Sequence, residues 1–345
     1  MAHPDTAPAA PTEILQLGMA FWGSKALLSA VELGVFTLLG AEGPARLPML
    51  AARLGLHERG ARDFLDALVA LGMLTRDEEG RYANTPQTAT FLDRARPEYI
   101  GGLLEMANRR LYPFWGRLTD ALRSGEPQNE ARDGEEDLFG AIYRDPATLE
   151  IFLQAMTGVS LPTAHSVAQA FPWTGRRSFA DIGCAQGGLA VTVARAHPHL
   201  RGIGFDLPAV GPVFEAYVAK AGLSGRIRFE PGDFFSGALP NAEVLVMGHI
   251  LHDWPLDDKR MLLRKAHAAL PPGGALIVYD AMIDDERRTN AFGLLMSLNM
   301  LIETRGGFDY TGADCIGWAR EAGFAEAAIQ PLQGPYSMMV AQKAG

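Results

Sequence analysis

The stretch from Arg177 to Pro208, RSFADIGCAQGGLAVTVARAHPHLRGIGFDLP, decides how the rest of the chain is read. Ser178 to Ile182 is a short apolar run stopped at Gly183; Gly187 and Gly188 open a helical stretch from Leu189 to Ala196, and Pro198 follows its end. Gly202 to Asp206 supplies a second strand that ends in a carboxylate. Glycines let a ligand approach the backbone, and a helix N-terminus presents unpaired N–H groups. Asp206, 23 residues beyond Gly183, is placed to accept both hydroxyls of a ribose. Cys184 and Ala185 stand where the dinucleotide fingerprint G-x-G-x-x-G wants glycine and a free approach to pyrophosphate. The turn therefore suits an adenosyl ligand without a pyrophosphate. Without a ligand, the same pattern would be a tight strand-to-helix turn with an acidic end cap.

Working outward from this unit, strands are expected at 178–182, 202–206, 226–230, 243–248 and 274–280, with helices between them. That alternation implies an α/β domain, a parallel sheet covered by helices on both faces. A last helix, Asp314 to Ala322, precedes strands near 325–331 and 336–341, joined at Gln333-Gly334 as an antiparallel hairpin. Ligands on such sheets sit outside the carboxyl ends of the strands.

Upstream, residues 1–12 are rich in Ala and Pro and read as a tail. Thr12 is expected to cap a helix to Ala30, continued by Val31 to Leu39 as far as stops at Gly40 and Gly43. Helices Leu47 to Leu54 and His57 to Leu71 follow, then two small strands within Met73 to Asn84, a winged-helix pattern. Between His57 and Arg81 the arginines 59, 62, 76 and 81 face six acids at 58, 63, 66, 77, 78 and 79, which does not make a phosphate-tracking face. A scaffold or dimerisation role fits better, because the first helix (FWGSKALLSAVELGVF) is more apolar than a monomer's surface should be. Tyr99 to Arg123 reads as a helix broken at Pro113, Ser124 to Asp137 as an acidic loop, and Leu149 to Ala170 as a helix carrying Phe152, Met156 and Ser160 on one face. The expected organisation is a tail at 1–12, a dimerisation domain at 13–96, a helical linker and cap at 97–172, and a catalytic domain at 173–345.

Composition sets bounds on these readings. With 345 residues and 48% apolar content the chain can build two cores. A net charge of −9 disfavours nucleic acid as a partner. No continuous run of some eighteen apolar residues and no basic-then-apolar leader is evident, so neither a membrane nor secretion is expected, and two cysteines suit the reducing cytoplasm.

The chemistry clusters at strand ends. Gly232-Asp233-Phe234-Phe235 follows the third strand, where an acid beside aromatics can hold an adenine. Met247 to Trp254 (MGHILHDW) follows the fourth. His249 and His252 are spaced like a metal pair, but no other His/Cys cluster has ligand spacing, and no metal is assigned.

Taken together, DIGCAQGG, GFDLP, GDFF, HILHDW and PPGG resemble the S-adenosylmethionine-dependent O-methyltransferases of the plant caffeate and acetylserotonin type and their bacterial natural-product relatives. The resemblance covers nearly the whole chain. It implies a Rossmann-like seven-stranded domain behind an N-terminal helical, winged-helix-like dimerisation domain, a homodimer, S-adenosylmethionine as cofactor with S-adenosylhomocysteine as product, and a small aromatic hydroxyl acceptor. It further implies that Asp181, Gly183 and Gly187 shape the methionine end of the cofactor site, that Asp206 takes the ribose and Asp233 with Phe234 the adenine, and that Trp254 helps to cover the cofactor, with Ser160, Leu207 and Gly232 as further cofactor-binding residues. The plant enzymes carry a cofactor-holding lysine four residues before the catalytic histidine; Gly248 stands there in this chain.

By the same resemblance His252 is the general base, oriented by Asp280 and Asp309, each one methylene shorter than the family's glutamates. A phenol, with pKa near 10, is a poor nucleophile until its proton is taken, and an imidazole can take it. Met106, Asn108, Phe152, Met156, Met300 and Thr304 match the family's acceptor-lining positions. Two alternatives stay open: a same-fold relative performing N- or C-methylation or cofactor-assisted hydroxylation, and a winged-helix regulator that senses a small molecule.

Overall fold

In the computed structural model, residues 10–96, 98–130, 143 and 145–345 are described. The opening stretch folds as β4 (Ser178–Ile182), a glycine turn, α11 (Gly188–Ala196) and β5 (Arg201–Asp206), with β4 and β5 paired in parallel. Gly187 caps α11 at φ 94°, a left-handed conformation that side chains rarely adopt, and a Cβ there would meet the Phe214 ring. Ala185 also takes a left-handed φ of 47°, and its N–H donates to the Asp206 carboxylate at 2.9 Å. The second strand's acid thus helps to hold the first strand's turn.

The alternation continues through α12 (Gly211–Lys220), β6 (Ile227–Pro231), β7 (Val244–Gly248), α13 (Leu256–Ala269), β8 (Ala275–Asp280), α14 (Ala291–Glu303), α15 (Gly312–Glu321), β9 (Glu326–Pro331) and β10 (Ser337–Gln342). The seven strands are ordered β6-β5-β4-β7-β8-β10-β9; all pairs are parallel except those made by β10 with β8 and β9. The strand order reverses between β4 and β7, and a crevice at such a switch point is where ligands bind. Strand alternation divides the core. Phe179, Val244, Val246 and Ile277 bury one face with α10 (Pro146–Ala170), α11 and α12, while Ile182, Leu245, Met247 and Val278 bury the other with α13 and α15. Each of these fully buried apolar side chains contributes roughly 1.5–3 kcal/mol.

By backbone contacts the chain divides into Met1–Arg109 and Arg110–Gly345. The first unit contains α1 (Thr12–Met19), α2 (Phe21–Leu33), α3 (Val35–Glu42), β1 (Ala45–Arg46), α4 (Leu47–Leu54), α5 (Glu58–Ala70), β2 (Leu74–Arg76), β3 (Arg81–Asn84), α6 (Pro86–Phe91) and α7 (Gly101–Met106). Its three short strands pair antiparallel in the order β1-β3-β2, and Val35, Phe36, Leu50, Leu65, Leu68 and Tyr82 form its core. The second unit opens with α8 (Tyr112–Trp115) and α9 (Leu118–Ser124).

Several sequence expectations shift. Thr12 lies inside the first helix rather than capping it, since Pro11 holds the cap position. The helical run breaks at Gly34, left-handed at φ 75°, and passes through Gly40, which packs against the Asp93 carboxylate. The expected break at Pro113 is preceded by a π-turn at Ala107–Leu111; Pro113 sits harmlessly in the first turn of α8. Residues 1–9 of the expected tail and 131–137 of the expected loop lie outside the described residues. Thr12–Leu33, although interrupted by polar positions, is long and apolar enough by composition to cross a membrane and is only 17% buried.

Gly187→Ala adds both a strained φ and a collision with Phe214. A loss of about 2–4 kcal/mol in the urea unfolding free energy is expected, and a change below about 0.5 kcal/mol would show that the turn does not need glycine there.

Candidate active site

Parallel β-strands deliver their last residues to one edge of the sheet, and there the candidate residues gather. β4 ends in the turn beyond Asp181, β5 in Asp206, β7 in Gly248 and β8 in Asp280. After Gly248 the chain turns at His249, left-handed at φ 55°, and a single 3₁₀ turn, Leu251–Asp253, carries His252.

His252 sits among acids. Its Nδ1 is 3.4 Å from Asp309 Oδ1 and 3.9 Å from Asp280 Oδ1, and its Nε2 is 3.6 Å from Asp253 Oδ1. All four side chains are buried or nearly so. Asp280 Oδ2 also accepts a short hydrogen bond from the Tyr310 hydroxyl, while both Asp309 oxygens and Asp280 Oδ1 lack a hydrogen-bond partner among the described residues. The Asp309 contact is thus an ion-pair approach that a bound ligand can tighten into a hydrogen bond. Asp309 is delivered by a loop pressed against the histidine backbone: a side chain on Gly307 would strike the carbonyls of His252 and Asp253. The Thr304 hydroxyl accepts from Gly307 N at 2.8 Å and holds that loop.

The charges are strongly coupled. Burial opposes a charge on His252, but the carboxylates of Asp280, Asp253 and Asp309 outweigh it and push the imidazole from 6.5 up to about 10. Burial raises Asp280 to about 7, with repulsion from Asp309 and Asp253 adding to it while His252 and Tyr310 oppose. Both partners rise because one imidazolium cannot satisfy three acids packed around it, so the cluster retains protons. His249 is driven the other way, to about 3, by burial and then by the His252 cation. It lies 3.7 Å from Asp280 and between the rings of Tyr279 and Tyr336. His249, His252 and Asp280 hold ligand atoms within 4.8 Å of one another, so the spacing alone would accept a cation. The His252 proton already supplies positive charge there.

The cofactor-side residues form a second group. Asp206 accepts from Ala185 N at 2.9 Å and Leu207 N at 2.8 Å, one on each oxygen, leaving further lone pairs for two hydroxyls. Burial lifts Asp206 to about 6 and Asp181 to about 7, the latter helped by Asp206. Two buried acids this close to a glycine turn fit a ligand that brings hydroxyls and a positive charge. Gly232 begins the loop after β6, and the Asp233 carboxylate is turned onto Phe235 N and the Ser236 hydroxyl at 2.8 and 3.0 Å. Phe234 and Phe235 meet Trp254 edge-on, with centroids 5.9 and 4.6 Å away, so the three rings form one aromatic cluster. Ser160 returns its hydroxyl to Met156 O within α10.

Among the acceptor candidates, Met300 is buried on α14 and Thr304 caps the helix, while Phe152 packs against the core of the α10 face. Met106 ends α7 and Asn108 lies in the π-turn; both belong to the N-terminal unit, where the Asn108 amide bonds Lys25 and Glu32.

Two further residues gave no signal in the sequence. Lys259, wholly buried, donates to the carbonyls of Leu251 and Trp254 at 2.7 and 2.5 Å and lies 3.9 Å above the Phe308 ring, so it clamps the histidine turn. Burial lowers it to about 8 against the pull of Asp280, Asp253 and Asp309. Tyr143 lies close enough to Asp206, Cys184 and Asp253 for their charges to add to the burial that raises its phenol. A lysine within a polar helix and an aromatic after an acidic stretch of sequence carry no local mark of either role.

Comparisons with known proteins bear on this geometry. Residues 115–325 match the O-methyltransferase domain, and residues 15–94 the O-methyltransferase dimerisation domain. The chain is 47% identical over 99% of both sequences to the tetracenomycin polyketide synthesis 8-O-methyl transferase of Streptomyces glaucescens. It is 43% identical to the N,N-dimethyltransferase OxyT of Streptomyces rimosus, covering 85% of this chain and 86% of that one. Human N-acetylserotonin methyltransferase, solved in complex with S-adenosylmethionine, superposes with a TM-score of 0.90 at 30% identity over 99% of this chain and all of the other.

If the three acids set the state of His252, NMR of the ring should show it still charged at pH 8 while His249 stays neutral. Asp309→Asn should lower the His252 pKa by roughly 1–3 units. An unchanged titration would remove Asp309 as a source of the shift.

Proposed function

The chain belongs to the S-adenosylmethionine-dependent O-methyltransferase family, and from that premise we propose that it methylates a hydroxyl of an aromatic, polyketide-like small molecule with His252 as general base. The observation that carries the reading is the placement of His252 among Asp253, Asp280 and Asp309 at the carboxyl edge of the sheet. S-adenosylmethionine, when bound, supplies a methyl on a cationic sulfonium, whose charge also opposes an imidazolium beside it.

His252 takes the acceptor proton at Nε2, because Nδ1 faces Asp309 and Asp280. A base whose conjugate acid lies near 10 is matched to a phenol near 10, so the transfer is close to balanced. Asp309 and Asp280 stabilise the resulting imidazolium and hold its ring. Asp206 with Leu207 binds the ribose, Asp233 with Phe234 the adenine, and Asp181, Gly183, Gly187 and Ser160 the methionyl end, with Trp254 excluding water. Met300 and Thr304, with Phe152 and Met156, form an adaptable wall for a flat acceptor.

The N-terminal helices support a homodimer. Ile14, Leu17 and Trp22 are 77%, 81% and 63% exposed, and the dimerisation-domain match covers them all except Ile14, one residue outside it. The same match accounts for the apolar run Thr12–Leu33 without a membrane. Cys184 and Cys315 are free and buried, which goes with the cytoplasm.

The test is transfer of labelled methyl from S-adenosylmethionine to a panel of catechols, naphthols and hydroxyquinones. Wild type should transfer to oxygen, and His252→Ala should lose about 10²–10⁴-fold in kcat. Transfer that survives the substitution, with label on nitrogen, would move the reading toward the dimethyltransferase relative. Sedimentation at micromolar concentration should give a dimer that Leu17→Asp with Trp22→Asp dissociates; a wild-type monomer would contradict the proposal.

A further inference from the structure

β7 and β8 pair in parallel with Gly248 opposite Tyr279, and β4 pairs with β7 with Asp181 opposite Val246. Side chains two residues apart share a face, so Asp181, Val246, Gly248 and Tyr279 all point to the same side of the sheet. Gly248 has no side chain, and the Tyr279 ring lies across it: a Cβ on Gly248 would fall within the ring and beside its hydroxyl. The phenol is thereby carried over the end of β7 toward β4, near enough to Asp181 for that acid to add to the burial that raises the phenol's pKa. His249 meets the ring edge-on at 5.2 Å and keeps it in place.

Tyr279 is 3% exposed, yet its hydroxyl makes no hydrogen bond among the described residues. Unlike the sealed oxygens of Asp280 and Asp309, it still reaches accessible space. A hydroxyl this deep in the protein, without a protein partner and next to a ligand site, points to a ligand atom.

We propose that the Tyr279 hydroxyl donates a hydrogen bond to the carboxylate of the methionyl end of S-adenosylmethionine. The inference rests on reading the glycine turn as the cofactor site. That end carries an ammonium and a carboxylate. Asp181 suits the ammonium, and beside an acid the carboxylate needs a donor that brings no negative charge of its own. A phenol held neutral by its surroundings meets that need, and Gly248 opens the space for it.

The test uses calorimetric binding of S-adenosylhomocysteine and of methylthioadenosine, which has the same adenosyl group and thioether but no amino-acid end. Tyr279→Phe should weaken S-adenosylhomocysteine about tenfold or more, as expected for a lost hydrogen bond to a charged group, and leave methylthioadenosine within about twofold. Tyr336→Phe, which alters a phenol on the other side of His249, should change neither ligand. Equal weakening of both ligands by Tyr279→Phe, no weakening of either, or the same selective loss from Tyr336→Phe overturns the inference while leaving the cofactor site standing. Wild-type protein that binds neither ligand overturns the reading of the site and the inference with it.

Discussion

One imidazole packed among three carboxylates is the constraint on which this site depends. Charges taken out of water are tolerated only when paired, and here the pairing is incomplete by design of the chain: Asp253, Asp280 and Asp309 outnumber His252, and Lys259 is the cation behind them. Burial with the neighbouring acids raises Asp280 to about 7, and the surplus of acid keeps the histidine protonated well above its ordinary range. That is a basic group waiting to give up its proton to solvent and take another from a substrate hydroxyl.

Each member of the cluster arrives by a separate structural route. The β8 strand ends in Asp280; the 3₁₀ turn after β7 carries His252 and Asp253; the loop that Thr304 and Gly307 seat under that turn carries Asp309. Lys259, one turn into α13, bonds the carbonyls at both ends of the histidine turn and ties that turn to the helix. At the end of β7 a missing side chain on Gly248 makes room for the large one of Tyr279 on the next strand.

The sequence carried the sheet, the glycine turn and the carboxyl-end residues because these depend on local signals: period-two apolar runs, glycines before a helix, an acid at a strand tip. Strand limits at β4 and β5 agree with the reading to the residue, apart from one position at the start of β5. The helix break at Gly34 and the π-turn at Ala107–Leu111 were not legible, since a single glycine or an ordinary polar run looks the same inside a helix as at its end. Lys259, Tyr143 and Tyr279 were missed for another reason. Their partners are backbone carbonyls, distant acids or an opposing glycine, and only the folded register brings these together. Cys184 and Ala185, which left the turn unlike the dinucleotide pattern, are accommodated by a left-handed Ala185 tied to Asp206.

The same geometry fills the space at Gly248 with the Tyr279 ring. It also makes the state of His252 the centre of the account. The measurement that tests it most directly is the pH dependence of kcat/KM for methyl transfer, run with two phenols whose own pKa values differ by about two units. The account predicts one rising limb that moves with the acceptor and a second, common to both, that is still climbing above pH 8 as His252 loses its proton. A common limb already level near pH 6.5, as for an ordinary histidine, would contradict it.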